Sequence, residues 1–101
     1  MLNKLELTFR ENSKMPGIAR DAGTDVAGGG IIQGSGNVFA NNKPVARKGD
    51  GVAGHGRAPH SSPVMAVGSG NVFTNNIATC RAGDTATCGH PASGSGNVFV
   101  N

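Results

Sequence analysis

Gly34-Ser35-Gly36-Asn37-Val38-Phe39 occurs again, letter for letter, at Gly68–Phe73 and at Gly94–Phe99. The copies hold three of the four phenylalanines of a 101-residue chain that has no Trp or Tyr. Most of the bulky packing material is therefore in one repeated element, which reads as the core. Gly-Ser-Gly is turn chemistry, and Val-Phe favours a pleated, half-buried surface. Asn41-Asn42 and Asn75-Asn76 follow the first two copies, and Asn tolerates the left-handed backbone that tight hairpins demand. The expected unit is strand, turn, strand. The third copy runs only to Val100-Asn101, so its return strand is missing or comes from elsewhere in the chain. Offsets of 34 and 26 residues imply units that close around a shared centre, since none buries an apolar face alone.

Around this repeat, composition narrows the class. A chain of this length is one domain by the usual prior. Seventeen glycines and only 15% charged residues argue against a helical bundle and against a highly charged disordered chain. They favour an all-β, turn-dense fold. The net charge is +3, but the basic residues are scattered and form no stripe, so nucleic acid is not an expected partner. No apolar run approaches the length of a membrane span, and Met1–Lys14 is too polar for a signal peptide. The expectation is a soluble protein that folds where it is made. Residues 1–14 differ from the rest: Leu5, Leu7 and Phe9 alternate with Glu6 and Thr8. That strand-like alternation predicts an N-terminal extension or docking arm ahead of a domain over 15–101.

A second phrase is interleaved with the first. Pro16-Gly17-Ile18-Ala19-Arg20, Pro44-Val45-Ala46-Arg47 and Ala78-Thr79-Cys80-Arg81 align on arginine. The second and third continue to Gly49-Asp50 and Gly83-Asp84, whereas Arg20 is followed by Asp25 only after two extra residues. Arg and Asp at this spacing predict turns held by a local ion pair and by Asp bonds to backbone amides. Three copies of each phrase describe a pseudo-threefold chain.

Every His and Cys lies in the last half: His55, His60, Cys80, Cys88 and His90. His55 and His60, and Cys88 and His90, occupy Gly/Pro-rich loops that follow Asp50 and Asp84, equivalent points of two units, and should emerge at the same end. Three imidazoles and one thiolate complete a tetrahedral zinc shell, which leaves no open position for a reacting water. The site reads as structural, with no catalytic residues. A disulfide between Cys80 and Cys88 is disfavoured in a chain with no export signal. Cys80 stands where the other copies have Ala19 and Ala46, and reads as a small packing residue. Gly49-Asp50-Gly51-Val52-Ala53-Gly54 matches a nucleotide-binding fingerprint, but no amphipathic helix follows to hold a pyrophosphate.

Taken together, the Pro-x-Ala-Arg-x-Gly-Asp and Gly-Ser-x-Asn-Val-Phe phrases, alternating over Met15–Asn101, resemble the PAAR (Pro-Ala-Ala-Arg) family of spike-tip proteins. Gly28-Gly29-Gly30 stands where members often carry a histidine. The resemblance implies a small cone of short β-hairpins with zinc near its tip. It implies a structural protein, not an enzyme, that caps and sharpens a trimeric β-helical puncturing spike. That spike would be the valine-glycine-repeat (VgrG-like) trimer of a type VI secretion system or the central spike of a contractile phage baseplate. By the same resemblance the protein is made in the bacterial cytoplasm, assembled on the virion or secretion spike, and brought into transient contact with a target envelope. Because strand neighbours face opposite sides, either Val38, Val72 and Val98 or Phe39, Phe73 and Phe99 must be covered by something other than the core. A trimeric partner, one trimer per chain, suits that need, and no homo-oligomer is expected. The alternative from the residues is a small zinc-ribbon-like module binding nucleic acid or protein.

Overall fold

Two of the three expected hairpins form where the Asn-Asn pairs stand. The computed structural model describes residues 15–26 and 29–101; the docking arm assigned to residues 1–14 lies outside them. Strands β1 (Asp25–Val26), β2 (Gly29–Gly30), β3 (Phe39–Ala40), β4 (Lys43–Pro44), β5 (Phe73–Thr74) and β6 (Ile77–Ala78) pair as three antiparallel ribbons. No helix occurs among the described residues. In β3–β4, Phe39 faces Pro44 and Ala40 faces Lys43; in β5–β6, Phe73 faces Ala78 and Thr74 faces Ile77. Asn41 and Asn42 have φ of 55° and 65°, and Asn75 and Asn76 have 55° and 64°. Two successive left-handed residues match the right-handed twist of the flanking strands.

The third copy takes its return strand from the opposite end of the chain. Gly17 bridges to Phe99, the Ile18 amide donates to the Val98 carbonyl (2.8 Å), and the Val100 amide donates to Pro16 (3.1 Å). The same bond is made by Val45 to Val38 (2.9 Å) and by Thr79 to Val72 (3.0 Å). Residues 16–18 are thus the missing strand, and the chain closes into a ring of three units. Each Gly-Ser-Gly-Asn-Val turn is held the same way: the Ser35, Ser69 and Ser95 hydroxyls each accept from the amides two and three residues on, at 2.9–3.1 Å.

At the centre of the ring the three arginine phrases meet backbone to backbone. Ala19 donates to the Cys80 carbonyl (3.0 Å), Cys80 to Ala46 (3.0 Å) and Ala46 to Ala19 (2.9 Å). This closed triangle brings three backbones close together, and all three side chains are fully buried. Only small residues fit there, since extra volume in a packed interior typically costs about 1–3 kcal/mol.

Just beyond the triangle the predicted turns form. Arg47 grips Asp50 through Nε (3.1 Å) and Nη2 (3.1 Å), while the Arg47 amide donates to the same carboxylate (2.7 Å). Arg81 and Asp84 repeat the pattern at 3.0, 2.9 and 2.8 Å. The first unit differs. Its two extra residues carry the chain past Asp25, which is exposed, and the Thr24 hydroxyl takes the Asp position, accepting from the Arg20 amide at 2.8 Å.

The main core consists of Val26, Ile31, Val52, Met65, Ala86 and Ala92 stacked on Ala19, Ala46 and Cys80. A smaller cluster of Ile18, Ala40 and Val45, flanked by Val98 and Val100, lies toward the hairpins. This corrects the expectation that the six-residue repeat is the core: Phe39 and Phe73 are each 57% exposed. Ala40 and Thr74 point inward, so strand alternation turns the preceding phenylalanine out. The interior beneath each repeat is filled by its serine and by residues of other phrases.

Above the core the units are tied in a cycle by Ile32 to Gly51, Ala66 to Thr85 and Ser93 to Asp25, at 2.9–3.0 Å. Among the described residues, only two units continue beyond this belt. The first returns from Val26 to Gly29, whereas the second extends through residues 53–63 and the third through 87–91. A three-unit base therefore carries a two-loop apex.

Candidate metal centre

The apical loops are narrow because backbone bonds pinch them. His55 donates its amide to the His60 carbonyl (2.8 Å), and His60 donates to Arg57 (2.6 Å). In the third unit Ala86 donates to the His90 carbonyl (3.1 Å) and Gly89 takes a φ of 89°. Each loop thus presents two donor side chains to the other.

His55, His60, Cys88 and His90, all half-buried, place one potential ligand atom each within 4.8 Å of one another. His55 Nε2 lies 3.3 Å from His90 Nδ1 and 3.8 Å from Cys88 Sγ. Tetrahedral zinc with Zn–N of about 2.0–2.1 Å separates two nitrogens by about 3.3 Å, and a nitrogen from a sulfur by slightly more. The three imidazole centroids lie 4.7–5.4 Å apart. His60 Nδ1 is buried without a hydrogen-bond partner. An orphaned buried nitrogen is costly, and a metal bound at that nitrogen would satisfy it. His55 Nδ1 lies 3.0 Å from the Ala53 carbonyl. A carbonyl only accepts, so Nδ1 carries the proton and Nε2 keeps its lone pair for the cluster. The donor set fits a metal ion.

The remaining candidates divide cleanly. Cys80 is outside this cluster: its thiol donates to the Val67 carbonyl at 3.4 Å, and both cysteines are free. Packing, as expected from the sequence, accounts for it. Asp50 and Asp84 are buried and held by arginine and backbone amides, so neither is available as a base beside the four clustered donors. The glycine-rich stretch over 49–54 leads into the His55 loop rather than a helix. Val38, Phe39 and Phe73 are exposed, while Val72, Val98 and Phe99 are half-buried. Ile77, on the return strand, adds a further exposed apolar residue to this end. The apolar residue directly after Asn75-Asn76 was its sequence signal.

Burial, aided by Asp84 and Asp50, pushes the Cys80 thiol up to about 12 from an ordinary value of 9.0. The unfolded chain therefore releases this proton first. The contribution is fully present below pH 9 and is lost as pH rises from there toward 12. Melting temperature should fall more steeply above pH 9 in the wild type than in Cys80→Ala, measured by calorimetry across that range; parallel curves would contradict it.

No curated protein matches the chain. A family model described as the PAAR motif matches residues 23–92, well over half of its length. The match spans both Arg-x-Gly-Asp turns, both apical loops and all three two-stranded ribbons. The flanking residues, 16–18 and 94–100, are the ones that pair to complete the third unit. The two units that carry the Arg-x-Gly-Asp turns and the paired donor loops thus rest on a sequence pattern that the family model recognises, and the chain belongs to the PAAR-motif family.

Proposed function

We propose that this protein is a structural spike tip: its base caps a trimeric β-helical spike and its apex, stapled by zinc, leads into a target envelope. The observation that carries the reading is the pseudo-threefold base. Three hairpin ends surround one axis, with Val38, Phe39, Phe73 and Ile77 exposed at the end remote from the histidine loops. A trimer presents three equivalent strand ends and covers such a surface with one chain. Family membership supports a spike-tip role in general, and the phage or secretion-system spike is the partner that resemblance suggests. Four donors from His55, His60, Cys88 and His90 favour zinc by their mixed nitrogen and sulfur character. The metal would supply cross-linking between the second and third units. Its contribution matters most in a small glycine-rich domain, where structural zinc is worth on the order of 10 kcal/mol.

Stoichiometry tests the reading. Multi-angle light scattering of the protein with the spike trimer from the same genome should show one copy per three spike chains. A stable homotrimer of the protein alone, or a complex with three copies per trimer, would refute it.

A further inference from the structure

The first unit contributes no ligand, yet its backbone lies against the metal-binding cluster. Gly29 in β2 is buried, and a Cβ built on it would lie 2.5 Å from His55 Nδ1 while colliding with the Ala53 carbonyl oxygen. These are the two atoms of the bond that sets the His55 tautomer, 3.0 Å apart. Ala53 is itself held to this strand, its amide donating to the Gly30 carbonyl at 2.9 Å. Gly30, the next residue, has room: its Cβ would meet only the Thr24 carbonyl at 3.7 Å. Neither glycine is among the positive-φ residues, so any requirement for glycine at 29 is one of space, not of backbone conformation.

We infer that Gly29 is a positioning residue for metal binding: its bare backbone seats the His55 ring against the Ala53 carbonyl so that Nε2 faces Cys88 and His90. The inference rests on the reading of the four-residue cluster as a zinc site. Outer partners of ligating histidines fix tautomer and orientation, and their loss typically weakens metal binding about 10- to 100-fold. At Gly29 that outer partner is preserved by the absence of a side chain. The first unit thus acts as a wall behind the ligands supplied by the other two.

Zinc affinity of the full-length protein, measured by competition with a chromophoric chelator, provides the test. Gly29→Ala should bind zinc about 10- to 100-fold more weakly, and Gly30→Ala within about twofold of wild type. In ¹⁵N-detected spectra of the zinc-free protein, His55 should show the Nδ1–H tautomer in wild type and Gly30→Ala and lose it in Gly29→Ala. The double variant Gly29→Ala/His55→Ala should bind no more weakly than His55→Ala, because both act through one ring. Amide protection at Ala46, in the central triangle, should be unchanged throughout. Wild-type protein that fails to bind zinc would refute the zinc reading itself. Wild-type binding with Gly29→Ala equally tight, or with both glycine variants equally impaired, would overturn the inference alone. Lost protection at Ala46 in Gly29→Ala would also overturn it, by making Gly29 a requirement of the fold.

Discussion

Replacing Cys88 by serine is expected to strip the protein of most of its zinc and to lower its melting temperature by about 15 °C or more. Loss of a structural metal is among the few single changes that exceed about 4 kcal/mol, and each kcal/mol shifts the melting point of a domain this size by about 4–8 °C. Cys88 supplies the only sulfur in the cluster, and its Sγ lies 3.8 Å from His55 Nε2. A serine hydroxyl in its place is a poor zinc ligand at neutral pH. Cys80→Ala is the matched control. Its side chain is buried at the central triangle beside Ala19 and Ala46, two positions that already accept alanine. Elemental analysis should give about one zinc per chain for wild type and Cys80→Ala, and far less for Cys88→Ser. Equal zinc loss in the two variants would show that the ligand set is wrong.

A double substitution of Phe39 and Phe73 by serine is expected to abolish capture by the spike trimer while leaving zinc content and melting temperature near wild type. Both rings are 57% exposed and lie opposite Pro44 and Ala78, so the folded monomer gains little from them. Covered by a partner, each would contribute about 1.5–3 kcal/mol. Losing two weakens binding by roughly 10²- to 10⁴-fold, at 1.4 kcal/mol per decade. The valine row behaves differently. Val98 packs on the cluster of Ile18, Ala40 and Val45, so Val98→Ser should lower stability as well as binding. Sedimentation of the purified trimer with each variant separates the two outcomes. Undiminished binding by the double phenylalanine variant would move the interface off this face.

Local chemistry is what the sequence alone determined. Asn41-Asn42 and Asn75-Asn76 specify tight hairpin turns within two residues. Arg47 with Asp50, and Arg81 with Asp84, specify turns within four. His55, His60, Cys88 and His90 could be grouped as candidate ligands because equivalent points of two repeats must emerge at one end. All of these are short-range, or follow from symmetry, and all are where the sequence puts them. Tertiary structure decided the rest. The strand that completes the third unit comes from residues 16–18 and pairs with 98–100, across nearly the whole chain, and no local pattern marks that closure. Thr24 replaces the missing Asp because a longer turn brings its hydroxyl, and not Asp25, to the Arg20 amide. The phenylalanines face outward because Ala40 and Thr74 face in, and which side of a two-residue strand meets the core depends on what packs against it. The role of Gly29 was equally hidden: a glycine reveals what it makes room for only when its neighbours, here His55 and the Ala53 carbonyl, arrive from another unit of the ring.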